Sequence, residues 1–213
     1  QLTNRVDFNG YTNSFQYDVM NRLLARVPDP RRSESSVTYA YNVLGLRTNM
    51  TDASGSTAFE YDNRNRLASK TRTWASVAGA PYTSVTLSYA YDANGSVTNI
   101  ASSQANGTSV TYEYDALSRL SAVNDAHAGR TAYSYDDVGN LSGSTYSNLV
   151  HTAYAYNQLN RLTNVAASRL LTDVASYAYT VGAAGNRLSA TETVRPGGVA
   201  HTIDRVYGYD ALY

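Results

Sequence analysis

An all-β array of successive hairpins is the fold predicted by three features of the sequence. A doublet of aromatics two residues apart recurs nine times, Asp or Asn follows most doublets, and Gly, Asn or Ser stands three positions later. The doublets end on Tyr17, Tyr41, Tyr61, Tyr91, Tyr114, Tyr135, Tyr156, Tyr179 and Tyr209, and begin two residues earlier on Tyr, or on Phe at Phe15 and Phe59. Residues two apart in a strand point to the same face, so both rings of a doublet share one side while Gln16, Ala40, Glu60 or Ser134 faces the other.

The residues after each doublet suit a tight turn. Asp18, Asp62, Asp92, Asp115 and Asp136, with Asn42 and Asn157, can accept a backbone hydrogen bond from two residues on. Gly45, Gly95 and Gly139, or Asn21, Asn65, Ser118 and Asn160, take the position that needs positive φ. This is a type I turn closed by a bulge residue, and the Arg-Leu that follows begins the returning strand. The eighth copy departs, because Thr180 replaces Asp and Gly185-Asn186-Arg187-Leu188 arrives two residues late.

A second class of turn lies about midway between doublets: Asp52-Ala53-Ser54-Gly55, Asn106-Gly107 and Asp125 to Gly129, with Pro28-Asp29-Pro30 in the first unit. Each unit is therefore two strands and two turns. The longer spacings are read as loops, Lys70 to Ser84 with Trp74 and Pro81, and Thr193 to Thr202 with Pro196-Gly197-Gly198. The best helix candidate, Asn164 to Val174, is interrupted by Ser, Thr and Asp and is read as a returning strand.

Composition narrows the chemistry. Seventeen basic and 17 acidic residues leave no net field, so neither nucleic acid nor an anionic membrane is expected as a partner. Cysteine is absent, which removes disulfides, thiolate metal sites and cysteine nucleophiles. No apolar run is long enough to span a bilayer as a helix.

His127, His151 and His201 have no acidic partner recurring with them and read as exposed structural histidines. The recurring carboxylates supply one oxygen donor group per unit, too few for calcium, and no metal or cofactor is expected. The tyrosines read as a stacked core, with a sugar-binding platform as the alternative. Because the first aromatic can be Phe while the second is Tyr in all nine copies, the second hydroxyl is expected to have a fixed partner, backbone or an Arg of a neighbouring unit. Arg22, Arg66, Arg119, Arg161 and Arg187 are assigned to one motif position and read as struts between repeats, against a ligand-binding stripe.

The segments Tyr-Asp-Ala-Leu-Ser-Arg-Leu (114–120), Tyr-Asp-Asp-Val-Gly-Asn-Leu (135–141) and Tyr-Asn-Gln-Leu-Asn-Arg-Leu-Thr (156–163) resemble the YD repeats of the Rhs family. That family includes bacterial polymorphic toxins, the shell-forming component of insecticidal toxin complexes, and the teneurin adhesion receptors. The resemblance covers essentially the whole chain and implies a β-sheet ribbon spiralling into a hollow shell. It implies a non-catalytic wall around a toxin polypeptide in a secreted or surface-exposed bacterial protein, with an adhesion or glycan-binding surface as the alternative. The Asp-Pro-x-Gly motif linked to self-cleavage in the family is missing, since Asp29-Pro30 is followed by Arg31-Arg32, so self-processing is not carried over.

Residues 1–213 read as one array cut within a repeat at each end. The expected partners are neighbouring repeats or copies of the chain, since a cut sheet exposes unpaired backbone groups, together with an enclosed polypeptide and, on the alternative reading, a glycan.

Overall fold

The structure, a computed structural model, describes residues 2–75 and 83–210. The chain divides into two compact units, residues 1–109 and 110–213. The first carries β1 (Asn4–Val6), β2 (Thr12–Tyr17), β3 (Leu23–Val27), β4 (Val37–Tyr41), β5 (Arg47–Asp52), β6 (Gly55–Tyr61), β7 (Leu67–Trp74), β8 (Ser84–Tyr91) and β9 (Val97–Ser102). The second carries β10 (Ser109–Tyr114), β11 (Leu120–Asp125), β12 (Gly129–Tyr135), β13 (Leu141–Thr145), β14 (Val150–Tyr156), β15 (Leu162–Arg169), β16 (Thr172–Val181), β17 (Arg187–Val194) and β18 (His201–Val206). Within each unit every strand pairs antiparallel with the next in sequence. The fold is all-β, and the described helical content is a single 3-10 turn, Pro196–Gly198.

The doublets occupy the C-terminal ends of the even-numbered strands β2 to β14, in β16 the doublet lies two residues short of the end at Val181, and the ninth, Tyr207 to Tyr209, follows β18. The pleat separates them as the alternation requires. Phe15, Tyr17, Tyr133 and Tyr135 are half-buried, whereas Gln16 and Ser134 between them are exposed. Across the pair, Tyr154 faces Val165, which faces Tyr177 on its other side, so aliphatic side chains of returning strands lie between the rings.

Every tight hairpin has its register shift at the same place, between Gln16 and Tyr17, Ala40 and Tyr41, and equivalently up to Thr180 and Val181. In the tight turn that follows each shift sits one left-handed residue: Asn21, Gly45, Asn65, Gly95, Ser118, Gly139, Asn160 or Gly185. The bulge seats the extra turn residue and increases the local twist.

Two expectations are corrected. The tyrosines do not form a closed core: the buried apolar residues among those described are Ala25, Val110, Ala122 and Ala190, and no large side chain is fully buried. A sheet buries a face fully against a second layer, and here strand neighbours supply the contacts. The excursions at Lys70 to Ser84 and Thr193 to Thr202 are in part longer hairpin arms, because β7 continues to Trp74 and β17 to Val194 while β8 and β18 begin at Ser84 and His201; residues 195–200 form a loop as expected. Pro81 lies outside the described residues. Asn164 to Val174 is, as read, mainly the returning strand β15, which continues through a two-residue turn at Leu170-Leu171 with both φ positive into the start of β16.

Gly55 shows where space rather than φ alone decides a residue. A Cβ there would lie 2.0 Å from the Thr73 carbonyl oxygen, whereas a Cβ on Gly45 would meet nothing within 4 Å. Gly55→Ala is therefore expected to lose about 3 kcal/mol through overpacking against backbone, and Gly45→Ala about 1 kcal/mol from its left-handed φ. Urea unfolding of the two variants measures the difference.

Candidate functional site

The turn acid organises each unit through its own side chain. Asp18 Oδ1 accepts hydrogen bonds from the backbone N–H of Met20 and Arg22, both at 2.9 Å. Asp62, Asp115 and Asp136 accept equivalent pairs, and Asn42 and Asn157 do the same with their amide oxygens. At Asp92 the bond from Ser96 N–H is 2.8 Å. Donation by the Arg22, Arg66 and Arg119 backbone N–H groups holds the carboxyls of Asp18, Asp62 and Asp115 below the usual carboxylate range, with the guanidinium of the same Arg assisting.

The second tyrosine joins one unit to the one before. Tyr41 Oη donates to the Leu23 carbonyl at 2.9 Å, Tyr91 to Leu67 at 2.8 Å, Tyr135 to Leu120 at 2.8 Å and Tyr156 to Leu141 at 3.0 Å. Tyr61 and Tyr209 donate to Arg47 and Arg187 in the same way, both at 2.8 Å, and Tyr17 reaches Leu2 at 3.1 Å. Apart from Leu2, which precedes β1, the acceptor is the first residue of the preceding returning strand. A phenylalanine ring could fill the same space but would leave that carbonyl without this donor.

The arginine before that residue points forward. Arg22, Arg66 and Arg119 donate Nε–H to the carboxylate of their own turn at 2.6, 2.8 and 2.7 Å. Each guanidinium also lies over the second tyrosine of the next unit, Arg22 on Tyr41 at 5.0 Å, Arg66 on Tyr91 at 4.5 Å and Arg119 on Tyr135 at 4.4 Å. Nη1 of Arg22 and Arg66 donates onward to the carbonyls of Asn42 and Asp92 in the next turn. Own acid, next ring and next carbonyl are three contacts that only a planar, multiply donating cation can make together.

Departures from this pattern are informative. Arg161 reaches the Gly182 carbonyl at 2.7 Å, but its turn residue is Asn157, and its buried Nε has no hydrogen-bond partner. Arg187 does not share the strut position. In the eighth copy Gly182 takes the place of Asp, receiving Gly185 N–H while its own N–H donates to Asn186, so Arg187 falls one position later, like Arg47. Arg187 lies over Tyr179 of its own unit at 4.1 Å, and Arg47 lies over Tyr39 and Phe59. The shift was signalled by Val181, which stands two residues after Tyr179 and takes the bulge register of a second tyrosine.

One cluster lies outside the motif. Asp29 is buried, accepts Thr12 N–H at 2.7 Å and pairs with Arg31, which together hold its carboxyl well below the usual range. Arg31 and Arg32 both lie over Tyr11, so the cluster ties the β1–β2 turn to the β3–β4 connection. His127, His151 and His201 are exposed, and among the described residues no group of three or more His, Cys, Asp or Glu is placed to hold a metal. No helix of the described residues is long and apolar enough to cross a membrane.

A family model described as Teneurin YD-shell matches residues 80–211, and one described as RHS Repeat matches residues 41–76. No curated protein matches the sequence. Among solved structures, the chain resembles a crystal structure of TcdB2-TccC3-TEV with a TM-score of 0.78 at 18% identity, over 99% of this chain and 12% of that one. A crystal structure of TcdB2-TccC3-Cdc42 gives 0.77 at 19% identity, with the same coverage of 99% and 12%. The Tc holotoxin pore of Photorhabdus luminescens, in a TccC3 variant, gives 0.76 at 18% identity over 99% of this chain and 12% of that one. At these identities the likeness is one of fold, and the chain spans a small part of the length of those structures.

Two outcomes follow from the latch. Tyr135→Phe is expected to lose about 1 kcal/mol through the Leu120 carbonyl bond, and Tyr133→Phe much less, as read by denaturant unfolding. Because the Asp18, Asp62 and Asp115 pKa values are lowered on folding, their stabilisation is complete above the unfolded value of about 4 and is lost as pH falls below it. Replacing all three by Asn, which preserves the turn bonds, should flatten the acid limb of a tyrosine-fluorescence pH titration.

Proposed function

The chain belongs to the teneurin YD-shell family, and from that membership we propose that it is a section of shell wall whose work is mechanical rather than catalytic. The observation that carries this reading is the latch: the recurrent polar side chains are committed to holding one hairpin to the next. Asp62 is used by its own turn and Arg66, Arg66 by Tyr91, and Tyr91 by the Leu67 carbonyl. Residues spent in this way are not poised as acid, base and nucleophile within reach of a substrate.

We extend the proposal to containment of a polypeptide, with neighbouring repeats as the other partners, in a bacterial protein that is secreted or displayed at the cell surface. Support comes from the fold shared with the Tc structures and from the balance of 17 basic and 17 acidic residues, which gives the wall no general attraction for a charged polymer. Glycan recognition is the competing reading, and exposed Trp74 at the end of β7 is its best anchor.

The test uses the full-length gene product. Polypeptide enclosed by the array is expected to resist protease until the array itself unfolds, and to become sensitive when Arg66→Ala and Arg119→Ala loosen it. Digestion at the rate of the free polypeptide would refute containment. Saturable binding on a glycan array that is lost in Trp74→Ala would favour recognition instead.

A further inference from the structure

We propose that the gap left by Asn140, where other units carry the strut arginine, is a receptor for the arginine side chain of a second polypeptide. The inference does not depend on what the shell encloses. In the unit that begins at Tyr133 the turn acid is Asp136, the next second tyrosine is Tyr156 and the next turn carbonyl belongs to Asn157. These are the same three groups that receive Arg22 and Arg66 elsewhere: own acid, next ring, next carbonyl.

Asn140 is too short to complete the set. Its Nδ2 donates to Asp136 Oδ2 at 2.9 Å and to Asn160 Oδ1 at 3.1 Å, and it reaches no further. Among the described residues no cation lies over Tyr156, whereas Tyr41, Tyr91 and Tyr135 each carry one. The Asn157 carbonyl receives the turn bond from Asn160, as the Asn42 carbonyl receives one from Gly45, and Asn42 accepts Arg22 in addition. A second lone pair is therefore open at Asn157.

The space is open as well. A cleft of about 440 Å³ is lined by Asp136, Asn140, Tyr154, Tyr156, Asn157 and Asn160 among others. It exceeds what a guanidinium occupies and leaves room for the peptide on either side of an arginine, which argues for a polypeptide rather than a small ion. Charge selects a cation, since Asp136 is held ionised by the Asn140 amide and neighbouring backbone N–H groups. Arg161 does not fill the cleft, because it donates forward to the carbonyls of Gly182 and Ala183. Planarity selects Arg over Lys, since ring stacking and two divergent acceptors must be met at once.

Three other units lack a strut. Leu46 stands four residues after Asn42, so the carboxylate is missing there, and Asn186 four after Gly182, which has no side chain, whereas Asp92, with Ser96 at the strut position, keeps its carboxylate.

The test is titration of the 213-residue chain with N-acetyl-arginine methylamide, following Tyr156 ring resonances by NMR, with the lysine analogue as control. Saturable shifts with a dissociation constant on the order of 1 mM are expected for the arginine probe, and at least several-fold weaker binding for lysine. Asn140→Arg should supply the missing strut from within, abolish the shifts and raise the melting midpoint by about 2 to 4 °C. Asp136→Asn, which keeps the turn as Asn42 and Asn157 do, should weaken binding without loss of fold. Equal response to both probes, shifts that persist in Asn140→Arg, or no saturation up to roughly 50 mM would overturn the proposal.

Discussion

The hydroxyl bond from the second tyrosine of one unit to the first carbonyl of the preceding returning strand is the contact on which the rest of this sheet depends. With so little of the apolar surface fully buried, cohesion has to come from groups at the edges of each hairpin as well as from the backbone ladder. A ladder alone fixes neither register nor spacing when units are alike, because one slip offers the same backbone pattern again. The phenol supplies the missing constraint: Tyr41 can reach the Leu23 carbonyl only if β4 sits at one height against β3. The bond accounts for tyrosine at the second doublet position in Tyr17, Tyr41, Tyr61, Tyr91, Tyr135, Tyr156 and Tyr209, while Phe15 and Phe59 are accepted at the first.

That reach is set by the turn. A left-handed residue and the bulge bring the chain back directly under the tyrosine, and the Asp side chain closes the turn by accepting two backbone N–H groups. Asn does this equally well, as at Asn42 and Asn157, but it cannot also neutralise a guanidinium. The consequence is visible at the next position. Leu46 follows Asn42, whereas Arg161 follows Asn157 and keeps its forward contact to Gly182 at the expense of an unpaired Nε. Turn and strut are therefore separable functions of one carboxylate, and a unit can lose the second without losing its fold.

The hairpins, the turn type and the shared face of each doublet were legible because each rests on local rules: period-two alternation, Asx acceptance and positive φ at Gly or Asn. Less legible was whatever depended on register between units. The eighth copy keeps the aromatic doublet but slides its turn by two residues; the slide shows in the sequence, whereas the bulge at Val181 shows that Arg187 falls in line with Arg47 and not with Arg22. Burial was overestimated for a related reason. Alternation says which residues share a face but not whether a second layer covers it, and here Tyr133 and Tyr135 are half-buried against aliphatic neighbours in their own sheet. The ends of β7 and β17 read as loops because Gly79 and Pro81, and Pro196-Gly197-Gly198, which follow them in the sequence, outweighed the strand residues that precede them.

Within each unit of the meander, the tight turns follow the even-numbered strands and the other connections follow the odd-numbered ones, so the two kinds lie at opposite edges. The tyrosine bond, the Asp–Arg pair and the ring stack all sit at the tight-turn edge. Lengthening a hairpin at the opposite edge leaves them untouched, and this is where β7 extends to Trp74, β15 turns through Leu170-Leu171 and β17 extends to Val194. One edge is therefore held by geometry and the other is free to vary in length and chemistry. A repeat that couples each unit to its nearest neighbour tolerates such variation because no distant contact must be rebuilt when one arm changes. The same locality explains how a single substitution at the held edge, Asn140 for the strut arginine, leaves a cleft complementary to arginine while the turns on both sides keep their bonds.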